Sequence, residues 1–214
     1  AFLMLFTTAF QQAWGPFAFS IIKDKDAKNV YATVFSIYAI LASVLLLFAV
    51  LFIPEILMIL TTPKFYSASW VATLMSINVI FSSFSYIANL GLNIVKTNKP
   101  YAQAIFMAAG LNLILNFLIV PYFGMLGSAL SVVISQSIVP VYLFYKSQKA
   151  YFVNYNFKKA LVYVLTALLI GLMFRFLVNP DIGFSYTLVC KTIVFIMFLS
   201  IVYYINKDHL NLNY

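Results

Sequence analysis

Acidic side chains are nearly missing from this chain: five Asp and Glu stand against thirteen Lys and Arg, and charged residues of all kinds make up 8% of it. So little charge excludes an ordinary water-soluble domain, whose surface needs a much denser mixture of both signs. With a single cysteine, Cys190, no internal disulfide can form, and one His, His209, does not complete a metal site beside it. Cys190 falls within an apolar run and reads as a small buried hydrophobe. No phosphate-cradling Gly-rich loop occurs, and the acids never pair within an apolar run, so neither a catalytic constellation nor a cofactor is expected. A net charge of +8 would suit a nucleic-acid binder only if Lys and Arg clustered on one exposed face; they stand in short links instead, which excludes nucleic acid as a partner.

What the chain has in abundance is apolar sequence. Hydrophobic residues make up 64% and the mean hydropathy is +0.99. They fall into runs of roughly 20, the length that crosses a ~30 Å hydrocarbon core at ~1.5 Å per residue. Cutting at charged residues, Pro and Gly gives seven candidate spans, 1–22, 30–53, 70–95, 101–120, 124–145, 159–178 and 184–206. The expected fold is an all-α, polytopic transmembrane helix bundle. Ala1 is not Met and the chain opens inside an apolar stretch, so it reads as lacking an N-terminal part.

The links test this division. Links one, three, five and the C-terminal tail carry Lys23, Lys25, Lys28, Lys96, Lys99, Lys146, Lys149, Lys158, Lys159 and Lys207, ten of the thirteen basic residues. The opposite links carry Lys64 alone. Basic residues accumulate in cytoplasmic loops, which predicts a cytoplasmic C-terminus. Aromatic residues near span ends, among them Trp70, Tyr101, Tyr122, Tyr145 and Tyr186, suit the headgroup region. Link two, residues 54–69, contains the apolar patch Ile56, Leu57, Met58, Ile59 and Leu60, too short to span and expected as a short helix at the outer interface. In link four, residues 121–124 form a tight turn, with Gly124, Gly127 and Ser128 giving a small-residue face for close packing.

Polar groups within spans need a partner or a reason. Asn78, Ser82, Ser85, Asn89 and Asn93 recur at three- and four-residue spacing on one face of the third span, and Asn112 and Asn116 lie one turn apart on the fourth. Such a stripe lines a water-filled path or bonds neighbouring helices, and both readings stay open. Gln11, Gln12, Ser135 and Gln136 invite the same two readings, while Pro16 and Pro140 bend their helices. Arg175 and Lys191 are the basic residues inside spans; they snorkel to the interface or meet an anionic substrate group such as a diphosphate. No acid lies inside a span unless Glu55 or Asp181 reaches in from its edge, which makes this chain a poor place for an ion-coupling site.

Residues 89–100, Asn-Leu-Gly-Leu-Asn-Ile-Val-Lys-Thr-Asn-Lys-Pro, lead into Gly110-Leu-Asn-Leu-Ile-Leu-Asn116 and then Ile119-Val-Pro-Tyr-Phe-Gly-Met-Leu-Gly-Ser-Ala129. Together with Trp14-Gly-Pro-Phe17, Pro54-Glu-Ile-Leu-Met-Ile-Leu60 and Tyr66-Ser-Ala68, this resembles the C-terminal half of the Wzx-type polysaccharide flippases, in the multidrug/oligosaccharidyl-lipid/polysaccharide (MATE-like) exporter superfamily. The resemblance covers about residues 10–150; where the family often has a glycine in the outer link, Thr61 and Thr62 stand here. It implies two six-helix bundles about a central cavity that opens alternately to each side. Residues 1–150 would belong to the second bundle, and 151–214 would be two extra helices with a cytoplasmic tail. It also implies residence in the bacterial cytoplasmic membrane, an undecaprenyl-diphosphate-linked oligosaccharide as cargo, contact with membrane lipids and with other polysaccharide-assembly membrane proteins, and no enzymatic activity. On that reading Asn78, Ser82, Asn89, Asn93, Asn112, Asn116, Gln11, Gln12, Arg175 and Lys191 are the cavity candidates. A drug or lipid II exporter of the same superfamily is the alternative. Less favoured are a non-transporting membrane scaffold and a glycolipid polymerase or ligase, which needs a large charged outer loop that this chain lacks.

Overall fold

The computed structural model describes residues 2–177 and 184–210, with side chains from 186 to 207 in the second stretch. The expectations for Asp181 and for the His209 side chain lie outside the described residues. The elements are α1 (Phe2–Ser20), α2 (Ala27–Leu60), a 3₁₀ segment (Pro63–Ala68), α3 (Ser69–Ala88), α4 (Leu90–Ile94), α5 (Lys99–Ala150), α6 (Phe157–Leu177) and α7 (Phe184–Leu210). No strand occurs among the described residues.

Five stretches are long and apolar enough to cross a membrane: Ala27–Leu60, Pro63–Ile94, Lys99–Ala150, Phe157–Leu177 and Tyr186–Lys207. α5 cannot cross as one rod, because its 52 residues would extend about 78 Å. At Gly124 the backbone leaves the helix, with φ 53° and ψ −129°, a conformation closed to side chains with a Cβ. The chain doubles back there: Ala104 and Ala108 pack with Val139 and Leu143, and Asn112 donates to the Ser135 hydroxyl at 3.1 Å. Gly127 serves the same turn differently, since a Cβ there would lie 2.8 Å from the Ile119 carbonyl oxygen. The turn expected over residues 121–124 is thus present. α1 is helical over 19 residues, and is not among the five stretches; Gln11, Gln12 and Pro16 dilute its apolar content. The chain is a polytopic, multi-pass helical membrane protein. Large side chains exposed on α5, such as Phe106 and Phe117, suit a hydrocarbon solvent.

Link two departs from expectation. The patch from Ile56 to Leu60 is no separate interfacial helix; it forms the last turns of α2, which runs unbroken through Pro54 to Leu60. A proline inside a spanning helix is tolerated where local adjustment and neighbours absorb the lost backbone bond. Continuity places Glu55 on a helix, one residue beyond that proline.

The described chain forms two compact units. Unit 1 comprises residues 1–35 and 67–156; unit 2 comprises residues 36–66 and 157–214. In unit 1, α3 packs along α5, α1 lies on α3, and α4 lies on α5. Phe35 sits in an aromatic cluster with Phe84, Phe144 and Tyr155, its ring 4.9 Å from that of Tyr155. The Tyr31 hydroxyl donates to the Ala18 carbonyl at 2.7 Å, fixing α1 to the start of α2. Links one and five meet, with the Lys28 ammonium 4.8 Å above the Tyr151 ring. Gln148 closes link five by bonding the Val153 backbone twice, at 2.7 and 3.0 Å.

In unit 2, Leu47 and Leu51 of α2, Ala167 of α6, and Phe198 and Val202 of α7 form the core. The Tyr163 hydroxyl and the Asn206 side-chain oxygen, 3.0 Å apart, join α6 to α7.

Candidate functional site

α1 presents Gln11, Trp14, Gly15 and Phe19 on one face, the three- and four-residue steps of a helix. α3, α4 and Asn89 at the joint between them present Ser85, Tyr86, Asn89, Leu90 and Asn93 in the same rhythm, and Tyr101 stands in the first turn of α5. These ten residues enclose a pocket of about 240 Å³ within unit 1. It lies toward the ends of α1 and α4, beside the links that carry Lys23, Lys25, Lys96 and Lys99. No charged side chain lines it.

Hydrogen bonding marks this pocket out. Asn89 donates to the Asn93 side-chain oxygen at 3.3 Å. The Asn89 Oδ1, the Ser85 hydroxyl and the Trp14 indole Nε1 are buried with no hydrogen-bond partner. Trp14 and Ser85 are 5% and 7% exposed, and both line the pocket. An orphaned buried polar group costs about 1–3 kcal/mol, and native proteins keep few of them. Three around one pocket therefore mark a site that a ligand or ordered water completes. Trp14 is held rigidly, stacked on Phe10 at 5.9 Å and edge-on to Tyr31 at 5.9 Å, which fixes the direction of its N–H.

The predicted cavity residues do not form one site. Gln11, Asn89 and Asn93 come together at the pocket, whereas Gln12 is exposed and does not line it. Asn78 accepts a bond from Ser82 at 3.4 Å, one turn apart on α3, outside the pocket lining. Asn116 donates to the Asn112 side chain at 2.8 Å one turn away, and Asn112 reaches Ser135 across the α5 hairpin, so Asn112 ties the two arms together. Lys191 and Arg175 belong to unit 2. Trp14, Tyr86 and Tyr101 were not among the candidates; the signal that points to them is the continuation of the Gln11 and Asn89 faces by helical spacing.

Lys191 of α7 does not snorkel. Its ammonium meets Glu55 Oε1 at 2.5 Å, both residues being buried, at 6% and 7% exposure. Glu55 thus reaches into the bundle, and its Oε2 has no hydrogen-bond partner. Arg175, half-buried on α6, stands within electrostatic reach of the same carboxylate. An intramembrane ionisable group demands a counter-charge, and here the carboxylate at the end of α2 is matched by cations from α6 and α7.

No family model and no curated protein matches this chain. Among solved structures it is similar in fold to the lipid II flippase MurJ in an inward closed conformation, at 16% sequence identity and a TM-score of 0.56. The likeness covers 98% of this chain and 43% of that one, so the chain spans less than half the length of this neighbour.

Proposed function

We propose that this chain is part of a flippase that moves an undecaprenyl-diphosphate-linked oligosaccharide from the cytoplasmic to the outer leaflet by alternating access. The observation that carries the reading is the polar pocket of unit 1, a recess with unpaired donors and acceptors inside an otherwise lipid-facing bundle. An inert bundle gains nothing from leaving such groups unpaired, whereas a transporter needs them free to engage a polar headgroup. The pocket also lies beside the lysine-bearing links, the end that charge bias assigns to the cytoplasm, where a precursor would be taken up. The fold likeness to MurJ supports a lipid-linked cargo, and because that neighbour is a lipid II flippase, lipid II itself is the second reading.

On this reading residues 1–150 supply the second bundle and 151–214 supply two additional helices with a cytoplasmic tail, in the bacterial inner membrane beside other polysaccharide-assembly proteins. Replacing Asn89 and Asn93 by Leu tests it. Surface glycan should fall, and lipid-linked precursor should accumulate on the cytoplasmic leaflet at unchanged protein level. Undiminished export from that variant rules out a path through this pocket. Accumulation of lipid II instead of a dedicated glycan precursor selects the second reading.

A further inference from the structure

We infer that the unit 1 pocket is a sugar site, which takes one uncharged, hydroxyl-bearing ring of the cargo and not its phosphates. This rests on the reading of the chain as a carrier of a lipid-linked glycan, and it assigns the part of that cargo which this pocket recognises.

The three orphaned atoms define the ligand chemistry. An indole N–H only donates, so Trp14 asks for an acceptor. A side-chain amide oxygen only accepts, so Asn89 Oδ1 asks for a donor. The Ser85 hydroxyl does either. A phosphate oxygen satisfies Trp14 but offers Asn89 nothing, and an ammonium group does the reverse. A set of hydroxyls answers all three at once.

Charge gives the same result. Phosphate recognition in a low-dielectric site calls for Arg or Lys, and a cationic drug calls for a carboxylate, yet the lining holds neither. Gln11 and Asn93 add further neutral amides, while Phe19 and Tyr86 supply apolar surface for the C–H groups of a ring. At about 240 Å³ the pocket is smaller than the ~300–1,000 Å³ of drug-sized sites, which suits one ring and not a chain of them.

The site carries its own reporter, because Trp14 is one of two tryptophans in the chain and Trp70 is not among the lining residues. The test uses the full chain with Trp70→Phe in lipid nanodiscs, titrated with undecaprenyl diphosphate bare or bearing glucose, galactose or N-acetylglucosamine. Trp14 emission should change saturably with at least one sugar-bearing lipid and stay flat with the bare one. Asn89→Leu and Ser85→Ala should each weaken that response by roughly 5- to 10-fold, as loss of a neutral hydrogen bond predicts. Asn89→Leu puts an apolar side chain into the pocket wall, so Ser85→Ala, which removes only a hydroxyl, is the control for misfolding. An equal response to bare undecaprenyl diphosphate, or no response to any sugar-bearing lipid, overturns the assignment. Passage of the glycolipid across vesicles by the whole transporter to which this chain belongs, measured separately, distinguishes the two failures: transport with a silent Trp14 removes the sugar site alone, and a responding Trp14 without transport removes the flippase reading alone.

Discussion

Replacing Lys191 by Met tests the electrostatics of unit 2. The substitution keeps length and apolar bulk but leaves Glu55, 7% exposed and otherwise bonded only through Oε1, with no adjacent ammonium. Breaking a buried pair from one side costs about 3–5 kcal/mol, because the surviving charge stays desolvated. Arg175 stands within reach of the same carboxylate and offsets part of that loss, so the expected cost lies near the lower bound, about 3 kcal/mol. For a chain of this size that corresponds to a melting temperature lowered by on the order of 6–12 °C. Combining Lys191→Met with Glu55→Gln removes both charges, and the double variant should recover most of the loss, since an apolar replacement of a whole buried pair is close to neutral. The assay is thermal unfolding in detergent micelles followed by intrinsic fluorescence, with all four corners of the double-mutant cycle measured under one condition. Losses that simply add, leaving the double variant worse than either single one, would refute the pairing.

Three further outcomes are expected. Lys96 sits at φ 55° just after α4, where the Thr97 and Lys96 amides bond back to Leu92 and Asn93 at 3.0 and 3.1 Å; Lys96→Gly should stabilise by about 1 kcal/mol in the same melt, by relieving left-handed strain. Gly127→Ala drives a Cβ to 2.8 Å from the Ile119 carbonyl and 3.1 Å from Phe123 Cβ, and should cost about 1–3 kcal/mol, read as a lower midpoint in denaturant. Burial, reinforced by Tyr31 and Tyr151, pushes the Tyr155 hydroxyl in link five far above the usual tyrosine range of about 10. Its folded-state value being the higher, the stability it lends is complete below pH ~10 and declines above it, where the unfolded tyrosine ionises. Tyr155→Phe should flatten that alkaline decline in stability-against-pH curves.

The architecture was legible where the signal is local. Runs of apolar residues marked the spans, and Pro121 to Gly124 marked the hairpin, because turn chemistry is written in adjacent residues. Pro54 misled for the same reason: the break it suggests is a local preference, and the helix carries through it to Leu60. Spacing alone placed Asn78, Asn89 and Asn93 on one face, but it could not tell the amides that bond a helical neighbour from those that border a pocket. That division depends on what packs opposite. α1 stands opposite Asn89, and Trp14 becomes part of the site only once the two helices meet. Glu55 and Lys191 lie 136 residues apart, and no periodicity links them, so the sequence left both with looser interfacial roles.

The reversal at Gly124 constrains how this protein enters a membrane. One residue separates two apolar arms, 99–123 and 125–150, and Gly127 presses its backbone against Ile119. With no polar linker between them, the second arm has nowhere to wait in water while the first settles. The two must leave the translocon as a single hairpin, already paired, so a lesion at Gly124 or Gly127 should be felt during biogenesis, before any finished protein exists to be inactive.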